Sequence, residues 1–196
     1  MSILVFVEQR DGQVRPVSRE ALGEATRLAA ALGGDVIGVC CAASDPGLAT
    51  LGEAGASKVL LARHEAFASY DGAGYAAAVA AAVTASGATI VLFPGSSIGK
   101  DLAPRVAARL GVGLASDVTA VAVEGGRLVA SRPVFAGKAI QKVAFPKSPA
   151  LLSLRPKNFA PVSNAGASAA VEALEFAWDA SAPRATVTGR TGATGG

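Results

Sequence analysis

Apolar runs recur along the first half of the chain at 3–7, 36–41, 59–62 and 88–93, separated by polar or glycine-containing stretches. Short continuous apolar runs of this kind read as strands buried on both faces. Between the first two lies a helical pattern over 19–32, with Leu22, Ala25, Leu28, Ala29 and Leu32 on one stripe, Ser18 placed to cap it and Gly33-Gly34 to end it. Residues 8–16 are polar, contain Gly12 and read as a loop. Asp45-Pro46 opens a short helix through Ala54 that Gly55 closes, and an alanine-rich helix over 74–86 is closed by Gly87. A further helix is predicted over 101–110, with Leu102, Val106 and Leu110 on one face, Arg105 and Arg109 on another, and Gly111 at its end. Strand–helix repetition of this kind predicts a parallel sheet with right-handed crossovers and helices on both faces.

After Ser116 the period changes. Segments 118–123, 127–134 and 138–145 are β-rich, and Glu124-Gly125-Gly126 joins the first two. This predicts a hairpin plus a third strand, an antiparallel excursion from the sheet. Residues 150–154 then read as one more buried strand returning to the core, before Pro156 and Pro161 break the chain. Residues 171–178 alternate poorly and are taken as an edge strand; 181–196, rich in Thr, Gly and Ala, reads as a linker or frayed tail. The expected organisation is one α/β domain over 1–160, followed by an edge strand and linker over 161–196.

Composition narrows the class. The 196 residues are 51% hydrophobic, much of it alanine, and only 5% aromatic, which suits close packing of helices on a sheet. No uninterrupted apolar stretch approaches the ~20 residues of a membrane span, and the first residues enter a strand without a basic, cleavable leader. Cys40 and Cys41 are adjacent, so their side chains lie on opposite faces of a strand and form neither a disulfide framework nor a metal spacing. A reducing cytoplasm is the expected setting. Net charge is +3, but residues 125–171 hold no acid at all, while carrying Arg127, Arg132, Lys138, Lys142, Lys147, Arg155 and Lys157. These side chains are either solvated strand faces or a basic surface for an acidic partner or anionic cofactor. Nucleic acid is not expected, because no stacking aromatics interleave with the charges.

The segment 95–118, GSSIGKDLAPRVAARLGVGLASDV, follows the fourth strand and opens a helix, the junction where ligands of open α/β sheets dock. It is not a P-loop. Three residues rather than four separate Gly95 from Gly99, and Asp101 follows Lys100 where a metal-binding hydroxyl is needed. Ser96 and Ser97 lie outside any nucleophile elbow, and Gly33, Gly34 and Gly38 miss the dinucleotide-binding register. His64 has no catalytic neighbour in sequence and reads as a surface residue. Phe176 and Trp178 read as packing anchors. Glu8, at the end of the first strand, and the loop residues Gly95, Ser96, Ser97, Gly99 and Lys100 converge on one sheet edge, where they either hold a nucleotide or only pack. Arg105 and Arg109 are either a subunit contact or a solvated face.

Four motifs, LVFVEQRDGQV, GSSIGKDLAPRVAARLGVGLASDVTAV, RPVFAGKAIQKV and the run into SLRPKNF, resemble in order the electron transfer flavoprotein α subunit over about residues 3–160. Gly99-Lys100-Asp101, Pro104-Arg105 and Ser116-Asp117 carry most of the resemblance. It implies a Rossmann-like, three-layer domain of the nucleotide α-hydrolase kind, and a heterodimer with a β subunit. It implies further that FAD sits in a C-terminal domain of the α subunit and AMP in the β subunit. Electrons would pass from acyl-CoA and other dehydrogenases, as in fatty acid β-oxidation, through FAD to a membrane quinone oxidoreductase. The chain stops at Gly196, where the flavin domain is expected to begin, so no position here receives a FAD-binding role and no cofactor is expected in this chain. The implied task is structural, with Arg105, Arg109, Arg132, Lys138 and Lys142 as candidate contacts to the β subunit. The alternative is a free-standing, universal-stress-protein-like nucleotide-binding domain using Glu8 and the 95–100 loop.

Overall fold

In the computed structural model, which describes residues 1–185 and 187–189, strands and helices alternate through the first half of the chain. In order come β1 (Ser2–Val7), β2 (Gln9–Arg10), β3 (Gln13–Val14), α1 (Pro16–Leu32), β4 (Asp35–Ala42) and β5 (Lys58–Arg63). They are followed by α2 (Gly72–Ser86), β6 (Ala88–Pro94) and α3 (Ser97–Leu110). The second half supplies β7 (Leu114–Val118), β8 (Ala120–Glu124), β9 (Arg127–Val134), β10 (Ala139–Ala144), β11 (Ala150–Leu154) and β12 (Ala170–Ala173). Seven strands form one parallel sheet in the order β12-β5-β4-β1-β6-β11-β7. β10, β9 and β8 form a separate antiparallel sheet.

Period-2 alternation divides the core in two. Ile3, Val5 and Val7 of β1 pack with Leu22, Ala25 and Leu28 of α1 on one face. Leu4 and Phe6 pack with Val79 of α2 and Leu102 and Val106 of α3 on the other. Cys40 and Cys41 divide between the same two cores. Both are buried; burial pushes the Cys40 thiol up to about 12 and raises that of Cys41, so neither is poised as a nucleophile.

Several boundaries move for identifiable reasons. α1 begins at Pro16, whose φ is preset for a helix, rather than after Ser18; the buried Ser18 hydroxyl is spent on the Glu8 backbone instead. The expected loop 8–16 contains the short hairpin β2–β3, turned at Asp11-Gly12, both with positive φ. The helix expected over 46–54 is a 3-10 turn, Leu48–Ala54, entered through Gly47 in the left-handed region (φ 83°). α3 starts at Ser97, four residues before the expected start, because Ser96 caps it by accepting the Gly99 N–H at 3.0 Å. β7 was hidden by its polar Ser116-Asp117 and by the left-handed Asp117 (φ 59°), next to which the β11–β7 register shifts. β12 is an edge strand, as expected, added parallel to β5. Residue 186 and residues 190–196 of the predicted tail lie outside the described residues.

Candidate functional site

The sheet order reverses between β1 and β6, so their carboxyl ends bound a cleft. Glu8, the residue after β1, reaches across it to Ser96 at the start of α3: the Ser96 hydroxyl donates to Glu8 Oε2. Ser96 thus joins the α3 N-terminus to a carboxylate of the protein's own, the charge that a helix N-terminus favours. Glu8 is itself held from the opposite side, its N–H donating to Ser18 Oγ at 2.9 Å while Ser18 donates back to the Glu8 carbonyl at 3.2 Å. One network therefore ties α1, β1 and α3 together.

The structure brings Glu8, Ser96 and Ser97 to a single cavity of about 440 Å³. Gly95, Gly99 and Lys100 do not line it. The two glycines have a packing reason. A Cβ at Gly99 would meet the Pro94 carbonyl oxygen at 1.8 Å, and one at Gly95 would meet the Leu154 carbonyl oxygen at 2.5 Å. Gly95 also donates its N–H to that Leu154 oxygen at 2.7 Å. The glycines therefore let α3 and β11 approach the end of β6. Sequence reasoning missed Tyr70 and Tyr75, which form an aromatic wall of the cavity with ring centroids 4.9 Å apart. Two tyrosines around the start of a helix that follows a strand were the available signal. Their hydroxyls are engaged: Tyr70 donates to Asp101 at 2.7 Å and Tyr75 to the Cys41 carbonyl at 3.2 Å. Burial foremost raises both phenols. Arg105 also pairs with Asp101 at 2.8 Å, and its hydrogen bonds, then that of Tyr70, hold the Asp101 carboxyl below its usual range. Arg109 is exposed in the last turn of α3, where its charge suits the helix C-terminus.

The antiparallel sheet is the second candidate surface. Its inner face carries Val121, Ala130 and Val143 into the α1-side core. Its outer face, by strand register, carries Ala120, Ala122, Val129, Pro133 and Ile140 beside the polar Ser131, Lys142, Glu124 and Arg127. Ile140 is 62% exposed, and Phe135, in the turn from β9 to β10, is 80% exposed. Phe135 and Ala136 both adopt positive φ (52° and 54°), a conformation costing about 1–2 kcal/mol per residue outside glycine. Lys142 on the outer face pairs with Glu124 at 2.9 Å, whereas Lys138 has no ion pair among the described residues. Arg132 points inward by register and is half-buried, with its Nε unpartnered among the described residues. Arg155 pairs with Asp117, so part of the acid-free stretch is neutralised by acids from outside it.

His64 is not an isolated surface residue. It stacks on Trp178 at 3.8 Å, beside Phe67, and its Nδ1 accepts the Ala66 N–H at 3.2 Å. Trp178 and Phe176 pack on Phe67, which bears out their reading as anchors. Among the described residues no group of three or more His, Cys, Asp or Glu could hold a metal, and no helix is long and apolar enough to cross a membrane.

The model of the electron transfer flavoprotein domain matches residues 3–178. Protein FixB of Clostridium saccharobutylicum is 36% identical over 176 residues, covering 88% of this chain and 53% of that protein. The electron transfer flavoprotein subunit alpha of Syntrophomonas wolfei is 36% identical over 168 residues, covering 86% and 52%. That of Bacillus subtilis is 34% identical over 157 residues, covering 80% and 48%. The chain thus spans about half the length of the curated relatives it matches. Together with a mostly parallel, helix-flanked sheet and its antiparallel annex, these matches have one reading: the chain belongs to the electron transfer flavoprotein family.

Proposed function

We propose that this chain acts as the N-terminal assembly domain of an electron transfer flavoprotein α subunit. It has no catalytic residues of its own and contributes a platform rather than a redox site. The observation that carries this reading is the match to α-subunit relatives over about half their length, joined to a sheet face that the described residues leave exposed. The remainder of such a subunit would hold FAD, and a β subunit would hold AMP. The described residues do not fit FAD: its pyrophosphate at the α3 N-terminus would meet the Glu8 carboxylate that Ser96 already binds. No electron-transfer step is therefore assigned to this domain. In the assembled protein, electrons would pass from acyl-CoA and other dehydrogenases to a quinone oxidoreductase, in the cytoplasm or at its membrane surface.

The β subunit is the occupant proposed for the outer face of β8–β10. Small apolar side chains there permit close approach, and the uncompensated Lys138 suits an acidic rim on the partner. Arg105 and Arg109 on α3 are proposed as a second, peripheral contact. Charge reversal separates the two lysines: Lys138→Glu is expected to lower recovery of the heterodimer on co-purification. Lys142→Glu should also weaken it, and Glu124→Lys added to Lys142→Glu should restore it by exchanging the pair. Unchanged heterodimer yield for both single variants would count against this surface.

A further inference from the structure

We propose that the cleft between the carboxyl ends of β1 and β6 binds a small uncharged ligand carrying a vicinal diol, with ribonucleosides the fitting class. The cavity, about 440 Å³, lies within the range of small-molecule sites. Its position at the reversal of strand order is where open parallel sheets take ligands.

Glu8 supplies the recognition chemistry. It lines the cavity although only 8% exposed. A carboxylate offers only acceptors, with room for about four hydrogen bonds. Ser96 serves one oxygen, and no donor from the described residues is bonded to the other. A carboxylate oxygen at the cavity wall is a strong acceptor for a ligand, and two adjacent hydroxyls on one ring donate side by side to such a group. Tyr70, half-buried on the cavity wall with its hydroxyl already committed to Asp101, offers a ring face to a planar base, while the buried Tyr75 backs it.

The same carboxylate sets the charge of the ligand. The α3 N-terminus, the natural anion site of this edge, is faced by Glu8 through Ser96, so a phosphate there would sit against a fixed negative charge. Arg10 and Arg15 also line the cavity, but both are exposed to solvent, and Arg10 lies 3.6 Å from Asp11. Screening by water leaves them weak competitors with a buried carboxylate. The selectivity is thus nucleoside over nucleotide. The site does not depend on the assembly surface of β8–β10.

Titration calorimetry on the 196-residue chain tests the proposal with adenosine, 2′,3′-dideoxyadenosine and AMP, on the native sequence and on Glu8→Gln. Adenosine should bind saturably with Kd below about 1 mM. Loss of the diol, or of the Glu8 charge, should each weaken binding by about tenfold or more. AMP should bind more weakly than adenosine. Glutamine keeps an acceptor for Ser96, and a thermal melt checks that the variant folds; should it not fold, the dideoxy arm decides alone. Absence of adenosine binding at about 5 mM, equal affinity for the dideoxy analogue, or tighter binding of AMP would each overturn the proposal.

Discussion

Glu8 shows how much one side chain contributes at the residue scale. Its backbone is held by Ser18, its carboxylate by Ser96, and Ser96 in turn caps α3, so three elements share one buried acid. The motif around Gly95 and Gly99 was legible as a strand–turn–helix junction. Its reason was not, because the clash that excludes a Cβ at Gly99 comes from the Pro94 carbonyl and exists only once the helix is docked. Asp117 gives a pH-dependent counterpart. Hydrogen bonds from Arg155 first, then the charges of Arg155, Lys100 and Arg132, hold its carboxyl below the usual range. A carboxyl lowered on folding stabilises the fold above its ordinary pKa of ~3.9 and loses that contribution as pH falls through the lowered value. Asp117→Asn, which keeps a residue tolerant of positive φ, should therefore lower the Tm at pH 7 and lose that difference as pH falls below the ordinary carboxylate range and through the lowered value. A Tm gap that persists unchanged into acid would contradict this role.

At the element scale, continuous apolar runs made β1, β4, β5 and β6 readable, because strands buried on both faces have no polar positions to confuse the pattern. β7 resisted, since two of its five residues are polar and its pairing with β11 joins residues far apart in sequence. The segment after β12 was legible only as two anchors. In the structure it is a strap: Trp178 lies between packing contacts to His64 and Phe67, with the Arg184 guanidinium 4.1 Å from its ring. Arg184 also pairs with Asp71 at 2.7 Å, and Asp71 caps α2 by accepting the Gly74 N–H at 2.6 Å. A cation over an indole contributes about 0.5–2 kcal/mol depending on its desolvation. Trp178 is the one tryptophan in the chain, so its emission reports the strap directly. Arg184→Gln should shift that emission to the red and speed proteolysis within 174–185, with the far-ultraviolet circular dichroism unchanged. Native emission and native protection in that variant would exclude Arg184 as the clamp.

At the scale of the whole molecule, the parallel sheet and its antiparallel annex do different work. The sheet is closed by its own helices, with both cores filled from within the chain. Among the described residues the annex is closed on its inner face only, with Ile140 and Phe135 exposed and a turn held at positive φ. The fold class, a parallel sheet with helices on both faces and an antiparallel excursion, was readable in advance because strand–helix alternation restricts the connections available. Which face of the annex lies open was not, because the short alternations at 120–124 and 139–144 do not say which side the core will take. An uncovered face on a chain that spans about half of its α-subunit relatives is the basis for a partner subunit as its cover. The most direct test is light scattering on this chain mixed with the cognate β subunit, using the native sequence and Ile140→Glu. The account predicts a one-to-one complex for the native chain and its loss, or weakening by about tenfold or more, when a charge is buried at position 140. A native chain that stays monomeric beside the β subunit, or an Ile140→Glu variant that assembles as well as the native one, would contradict it.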